Sequence, residues 1–192
     1  LKWMRQNGME AAILKLAAAN VPVLGICGGY QMLGESIEDP DGEEGGGSLH
    51  GMGLLPVRTV FGKEKVQTRV TGEILQNPGA GDGLFAALSG SVFSGYEIHM
   101  RHTTGNGKNS FSRIRTLTNG STEAEEDWQA DGAVCGNVAG TYVHGLFENG
   151  SLTKNLCGAL LSKKGICAEA LTQDYAAFKE SQYDLLAAEV RK

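Results

Sequence analysis

The chain has 192 residues, of which 41% are hydrophobic and 20% charged, with a net charge of −5. That is enough for one domain with a substantial core, and the acidic balance argues against a general nucleic-acid or anionic-membrane surface. No apolar run approaches the roughly 18 residues of a membrane span, no signal peptide is visible, and the four cysteines (27, 135, 157 and 167) form no Cys-x-x-Cys pair, which suits a reducing cytoplasm better than a disulfide framework or a zinc site.

Residues 1–20 read as helix, with a possible break at Gly8. Ile13, Leu16 and Ala17 form an apolar stripe, and Asn20 ahead of Pro22 is a stop signal. The chain opens at Leu1, inside this pattern and without an initiator Met, so a piece of a longer protein is expected.

Residues 21–34 then organise the rest. A short apolar β-type run (21–26) leads into a helix start at 30–33, and between them Cys27 is flanked by glycines. A strand turning sharply into a helix can hold its corner residue in a strained conformation, with the side chain pushed out at the C-terminal edge of a sheet. Gly25, Gly28 and Gly29 remove side chains that would clash in so tight a turn. The spacing describes a nucleophile elbow with cysteine in place of serine. A lone cysteine in an apolar run is ordinarily a small buried hydrophobe, and the flanking glycines weigh against that reading.

Five carboxylates crowd residues 38–44, but without the alternation and sixth-place glycine of a calcium loop, so residues 38–47 read as a solvated surface loop. Residues 54–61 and 65–75 are β-type runs separated by Gly62-Lys63-Glu64, which predicts a hairpin. A helical turn is expected over 82–88, strands over 92–100 and 111–117, and loops over 103–110 and 119–129. Alternation over 92–100 puts Glu97 and His99 on one face and Tyr96 and Ile98 on the other. Residues 133–135 and 138–143 read as strands paired around Gly136-Asn137. Helices over about 151–163 and 173–190 close the chain.

A cysteine nucleophile needs a base that takes its proton and later returns one to the leaving amine, and histidine does this best near neutral pH. Of His50, His99, His102 and His144, the last is the strongest candidate: it ends a strand, and Gly145 lets the chain turn away. In an α/β sheet Cys27 and His144 would share the C-terminal edge where such sites lie. The alternative is a half-buried turn histidine.

Gly25-Ile26-Cys27-Gly28-Gly29-Tyr30-Gln31 resembles the nucleophile motif of class I glutamine amidotransferases. With the Met32-Leu33-Gly34 continuation it resembles the amidotransferase domain of cobyric acid synthases in particular. Gly140-Thr141-Tyr142-Val143-His144-Gly145-Leu146-Phe147-Glu148-Asn149 matches that family's histidine segment, while residues 1–5, 94–100 and 183–188 add support. The resemblance implies a doubly wound, flavodoxin-like α/β sheet with helices on both faces and added antiparallel hairpins. It implies one glutamine amidotransferase domain over residues 1–192, whose first strands and ATP-dependent synthetase domain lie upstream.

It further implies catalysis by Cys27 and His144, with Gly28, Gln31, Tyr96 and Glu97 contacting glutamine. Class I enzymes place a third-member Glu two residues after the histidine. Here that position is Leu146, as in the cobyric acid synthase branch, which leaves Glu97, Glu148 or no carboxylate to orient His144. The expected partners are glutamine, a synthetase domain of the same polypeptide and that domain's corrinoid substrate, in the cytoplasm, with neither nucleic acid nor membrane. No G-x-x-x-x-G-K-[ST] occurs, so no cofactor is expected in this domain, and ATP and Mg belong to the synthetase. Ammonia from glutamine would then amidate adenosylcobyrinic acid a,c-diamide carboxylates. Competing readings are a glutaminase for another acceptor (cobyrinic acid or a cell-wall precursor), a thiol hydrolase of the same fold, and a non-catalytic binding module, against which the paired Cys27 and His144 count.

Overall fold

The computed structural model describes residues 1–43, 45–76, 83–105, 109–117, 128–148, 151–167 and 175–191. Two short helices, α1 (Lys2–Gln6) and α2 (Met9–Ala18), are separated at Gly8, whose φ of 74° is the left-handed conformation that ends one helix and starts the next. Strand β1 (Val23–Ile26) runs into α3 (Gly28–Leu33), and the hairpin β2 (Ser36–Asp39) and β3 (Gly47–His50) follows. Then come β4 (Arg58–Ile74), α4 (Leu84–Ala87), β5 (Val92–Thr104), β6 (Ser112–Thr116), β7 (Gln129–Asp131), β8 (Ala133–Cys135), β9 (Val138–Thr141), β10 (Val143–His144), α5 (Ser151–Lys163) and α6 (Tyr175–Val190). No helix among the described residues is long and apolar enough to cross a membrane.

The architecture is of the expected α/β class, with its strands divided between two sheets. A small sheet has the order β1-β9-β8, with β1 and β9 parallel and in register from Val23↔Val138 to Ile26↔Thr141. Alternation gives it two apolar faces. Val23, Ala133 and Val138 pack with Ala17, Tyr30 and Leu33 under α2 and α3. Leu24, Ile26, Val134 and Ala139 pack into the other cluster, with Phe85 and Leu88 near α4 and with Leu152 and Leu156 of α5. Helices thus cover both faces. A larger sheet has the order β10-β5-β4-β2-β3, with β6 pairing β4 and β7 pairing β6.

Two local expectations are corrected. Residues 54–61 and 65–75 do not form a hairpin. They contribute to one 17-residue strand, β4, both halves of which pair antiparallel with β5. Gly62-Lys63-Glu64 is taken up in an irregularity where residues 62–65 lie opposite residue 100. Nor is 38–47 simply a solvated loop. Asp39 is buried, and its carboxylate accepts the backbone N–H groups of Glu43 (2.9 Å) and Gly46 (2.8 Å), closing the turn between β2 and β3. The expected loop over 119–129 lies almost wholly outside the described residues.

The corner between β1 and α3 is strained. Cys27 has φ 53° and ψ −113°, a region costly for any residue with a Cβ. It is held from both sides: its N–H donates to Thr141 O (2.9 Å), and its carbonyl accepts Gln31 N–H (3.2 Å). Gly25 is required there, since a Cβ would press on Leu33 Cδ1 and the backbone of Gly29 and Tyr30 at 2.6–2.7 Å. Gly28 and Gly29, expected to relieve the same crowding, face open space instead. Replacing Cys27 with glycine should therefore make the protein about 1–2 kcal/mol more stable than the Cys27→Ala variant, which keeps the strain. Denaturant unfolding of the two variants checks this, and equal midpoints would show that the corner is not strained.

Candidate active site

Three segments converge at the C-terminal end of the β1–β9 pair. The parallel register carries Cys27 to the level of Thr141, and His144 follows three residues beyond the end of the neighbouring strand β9. Between them Tyr142 marks a step: β9 ends in the small sheet and β10 begins in the large one, pairing Val143 with Glu97 and His144 with Tyr96. The expected single strand over 138–143 is thus divided at Tyr142 between two sheets. Gly95 permits the approach of β10, since a Cβ there would collide with the His144 carbonyl oxygen and press on Val143 Cγ1. Gly145, with φ 73°, turns the chain away after the histidine.

β5 joins the two candidates. The Cys27 thiol faces the Ile98 carbonyl oxygen at 3.9 Å. Two residues back on the same strand, the Tyr96 ring stacks on the His144 imidazole, with centroids 5.3 Å apart and planes 6° from parallel. Tyr96 is 43% exposed, so this stacked pair borders solvent. Glu97, half-buried, lies between these contacts beside Val143. The side chain of His99, its expected companion on that face, lies outside the described residues. His102 sits further along β5 opposite Val60, and His50 closes β3, where its carbonyl accepts Arg5 Nη2 at 2.5 Å.

Among the described residues no carboxylate is hydrogen-bonded to the His144 ring. Glu148 instead accepts from Lys179 Nζ at 3.2 Å. Leu146, at the place where class I enzymes carry their third member, is 1% exposed and packs in the main core. A carboxylate there would be buried among Val143, Phe111 and Leu152, which explains an apolar residue at that position.

The other two expected contacts lie on the α3 side. Gly28 and Gln31 line a cavity of about 470 Å³ together with Trp3, Met32, Ser48 and Phe61. Gln31 is buried, and its amide donates to the Tyr142 hydroxyl at 3.4 Å. The same hydroxyl shares a hydrogen bond with Thr103 Oγ1, and the Tyr142 ring meets Tyr30 edge-on at 5.1 Å. Sequence reading passed over one buried acid altogether. Asp131, 4% exposed, accepts from Ser112 Oγ at 2.7 Å, from Thr141 Oγ1, and from the Tyr142 backbone N–H at 3.1 Å. Burial pushes its carboxyl above the ordinary range, and these hydrogen bonds oppose that shift. An Asp-Gly pair ahead of an apolar run reads as a plain turn, so only the tertiary fold reveals it.

Residues 1–152 match the model of the CobB/CobQ-like glutamine amidotransferase domain. Three relatives, each named cobyric acid synthase, align with the whole chain. That of Ruminiclostridium cellulolyticum is 46% identical, with 36% of its own length covered. That of Lachnoclostridium phytofermentans is 43% identical with 37% covered, and that of Yersinia enterocolitica 41% identical with 36% covered. The chain therefore spans little more than a third of the length of these curated relatives. A glutamine amidotransferase structure from Thermotoga maritima aligns over 96% of this chain and 67% of its own, at 19% identity and a TM-score of 0.41. The matched span takes in both the elbow cysteine and the strand-end histidine, and the chain belongs to the CobB/CobQ-like glutamine amidotransferase family.

Proposed function

We propose that Cys27 and His144 form the glutaminase centre of a cobyric acid synthase. One observation carries the reading: a cysteine held at positive φ stands at the end of β1, a histidine follows three residues after the end of the adjoining β9, and both lie against one stretch of β5. A structural cysteine has no need of a strained corner, whereas a nucleophile gains from being thrust clear of the sheet.

In this reading His144 takes the Cys27 thiol proton as sulfur attacks the side-chain amide carbon of glutamine. The Gly28 N–H, next in the chain, donates to the tetrahedral oxyanion. His144 returns the proton to the departing nitrogen and ammonia leaves. The same base then activates the water that cleaves the γ-glutamyl thioester, freeing glutamate and the thiol. The cavity bordered by Gly28 and Gln31 takes the polar end of glutamine away from the reacting carbon. Tyr96 fixes the plane of the His144 ring by stacking, and Glu97 borders the centre from β5. The absence of a carboxylate on His144 among the described residues favours a Cys–His pair over a full triad.

The ammonia would serve an ATP-dependent synthetase domain of the same polypeptide, which the greater length of the relatives supports. The acceptors would be the side-chain carboxylates of adenosylcobyrinic acid a,c-diamide, making residues 1–192 the glutaminase domain of an enzyme of cobalamin synthesis in the cytoplasm.

Cys27→Ala in the full-length protein should abolish glutamine-dependent amidation and leave ammonia-dependent amidation largely intact. His144→Ala should slow glutamine hydrolysis by about 10²-fold or more. Assaying each variant with glutamine and with ammonium salt checks both, and equal loss of the two activities would contradict the division of labour. Glu97→Gln and Glu148→Gln should each cost about tenfold or less if no carboxylate orients the base. A loss of about 10³-fold in either would identify a third member.

A further inference from the structure

Asp131 is a buried acid that the reaction does not use, and none of its three hydrogen-bond donors is a cation. A carboxylate buried without a cationic partner carries a desolvation cost that its hydrogen bonds only oppose. Stability alone is therefore a weak reason for it, and its contacts suggest another. Oδ1 accepts the Tyr142 N–H, at the residue where the chain passes from the small sheet to the large. Oδ2 accepts the Thr141 and Ser112 hydroxyls. The Thr141 hydroxyl in turn accepts the Val143 N–H at 3.0 Å, and the Thr141 carbonyl accepts the Cys27 N–H at 2.9 Å. One side chain thus ties down the whole stretch between Thr141 and Val143, which supports Cys27 on one side and leads to His144 on the other.

We propose that Asp131 is a positioning residue for the glutaminase centre: by fixing the sheet-to-sheet step at Thr141 and Tyr142, it sets where His144 stands relative to Cys27. Three donors converge on it, and a carboxylate satisfies all three at once because it has acceptors alone. An asparagine that kept its oxygen on the Tyr142 N–H would turn its NH2 to the two hydroxyls, which would then have to accept from it. The Thr141 oxygen would accept twice, from that NH2 and from Val143 N–H, and its own proton would lose its buried acceptor. The turn after Asp131 is equally constrained: Gly132 has φ 70°, and a Cβ there would collide with the Gly140 carbonyl oxygen. The inference rests on the assignment of Cys27 and His144 as the reacting pair.

The test is steady-state glutamine hydrolysis by the full-length protein carrying Asp131→Asn, Thr141→Val or Thr141→Ser. Asp131→Asn and Thr141→Val should each lower kcat by about tenfold or more, since small displacements of a reacting group are costly. KM for glutamine should stay within about twofold. Thr141→Ser keeps the hydroxyl and should recover most of the loss seen in Thr141→Val. An Asp131→Asn protein that melts earlier but keeps its kcat overturns the inference, as does a Thr141→Ser variant no better than Thr141→Val. Should Asp131→Asn fail to fold, the two Thr141 variants decide the matter. Glutamine hydrolysis surviving in Cys27→Ala would instead sink the underlying assignment. Dependence on Cys27 with no effect at Asp131 or Thr141 sinks the positioning role alone.

Discussion

A four-residue parallel pairing carries the site. Val23–Ile26 lies beside Val138–Thr141 in register, and the ladder runs one hydrogen bond further to Cys27. Parallel strands present their C-terminal ends at the same edge, so this pairing brings together two segments more than a hundred positions apart in the chain. A register slip by one residue would turn every alternate side chain to the wrong face, exchanging Leu24 and Ile26 for the smaller Val23 and Gly25. The two apolar clusters on opposite sides of the small sheet lock the register, and with it the relation of the elbow to the histidine.

Close backbone contacts then do what side chains could not. Gly25 lets α3 fold back on β1, Gly140 leaves room for the Tyr30 ring, and Gly95 admits β10 against β5. Gly25 and Gly140 lie within a few residues of Cys27 or His144, and Gly95 lies directly against the His144 carbonyl, so each close approach borders the site. The apolar Leu146 belongs to the same logic. Two residues past the histidine the chain has already turned into the core, and an acid there would carry a desolvation cost with no partner.

The elbow was legible because its signal is local. An apolar run, a cysteine between glycines and a helix start specify a turn whatever surrounds it, and Cys27 has the predicted strained φ. The break at Gly8 and the hairpin at Gly136-Asn137 were legible for the same reason. The long β4 was not. Gly62-Lys63-Glu64 looks like a turn, yet β5, which arrives some thirty residues later, offers one continuous edge to both halves. Asp39 and Asp131 were equally opaque, since an acid near glycine reads as a solvated turn until burial and converging donors become visible. The division at Tyr142 depends on β5 as well, and no feature of residues 138–143 announces a change of sheet.

The account stands on Cys27 as the nucleophile supported by His144, and trapping the covalent step tests this most directly. The full-length protein would be incubated with a glutamine analogue bearing a diazoketone, which alkylates an activated thiol held in a glutamine site, and the modified residue located by mass spectrometry. The account predicts one adduct, on Cys27, suppressed by competing glutamine and formed far more slowly when His144 is alanine. Modification at Cys135, Cys157 or Cys167 with Cys27 untouched, or labelling of Cys27 at an unchanged rate without His144, would contradict it.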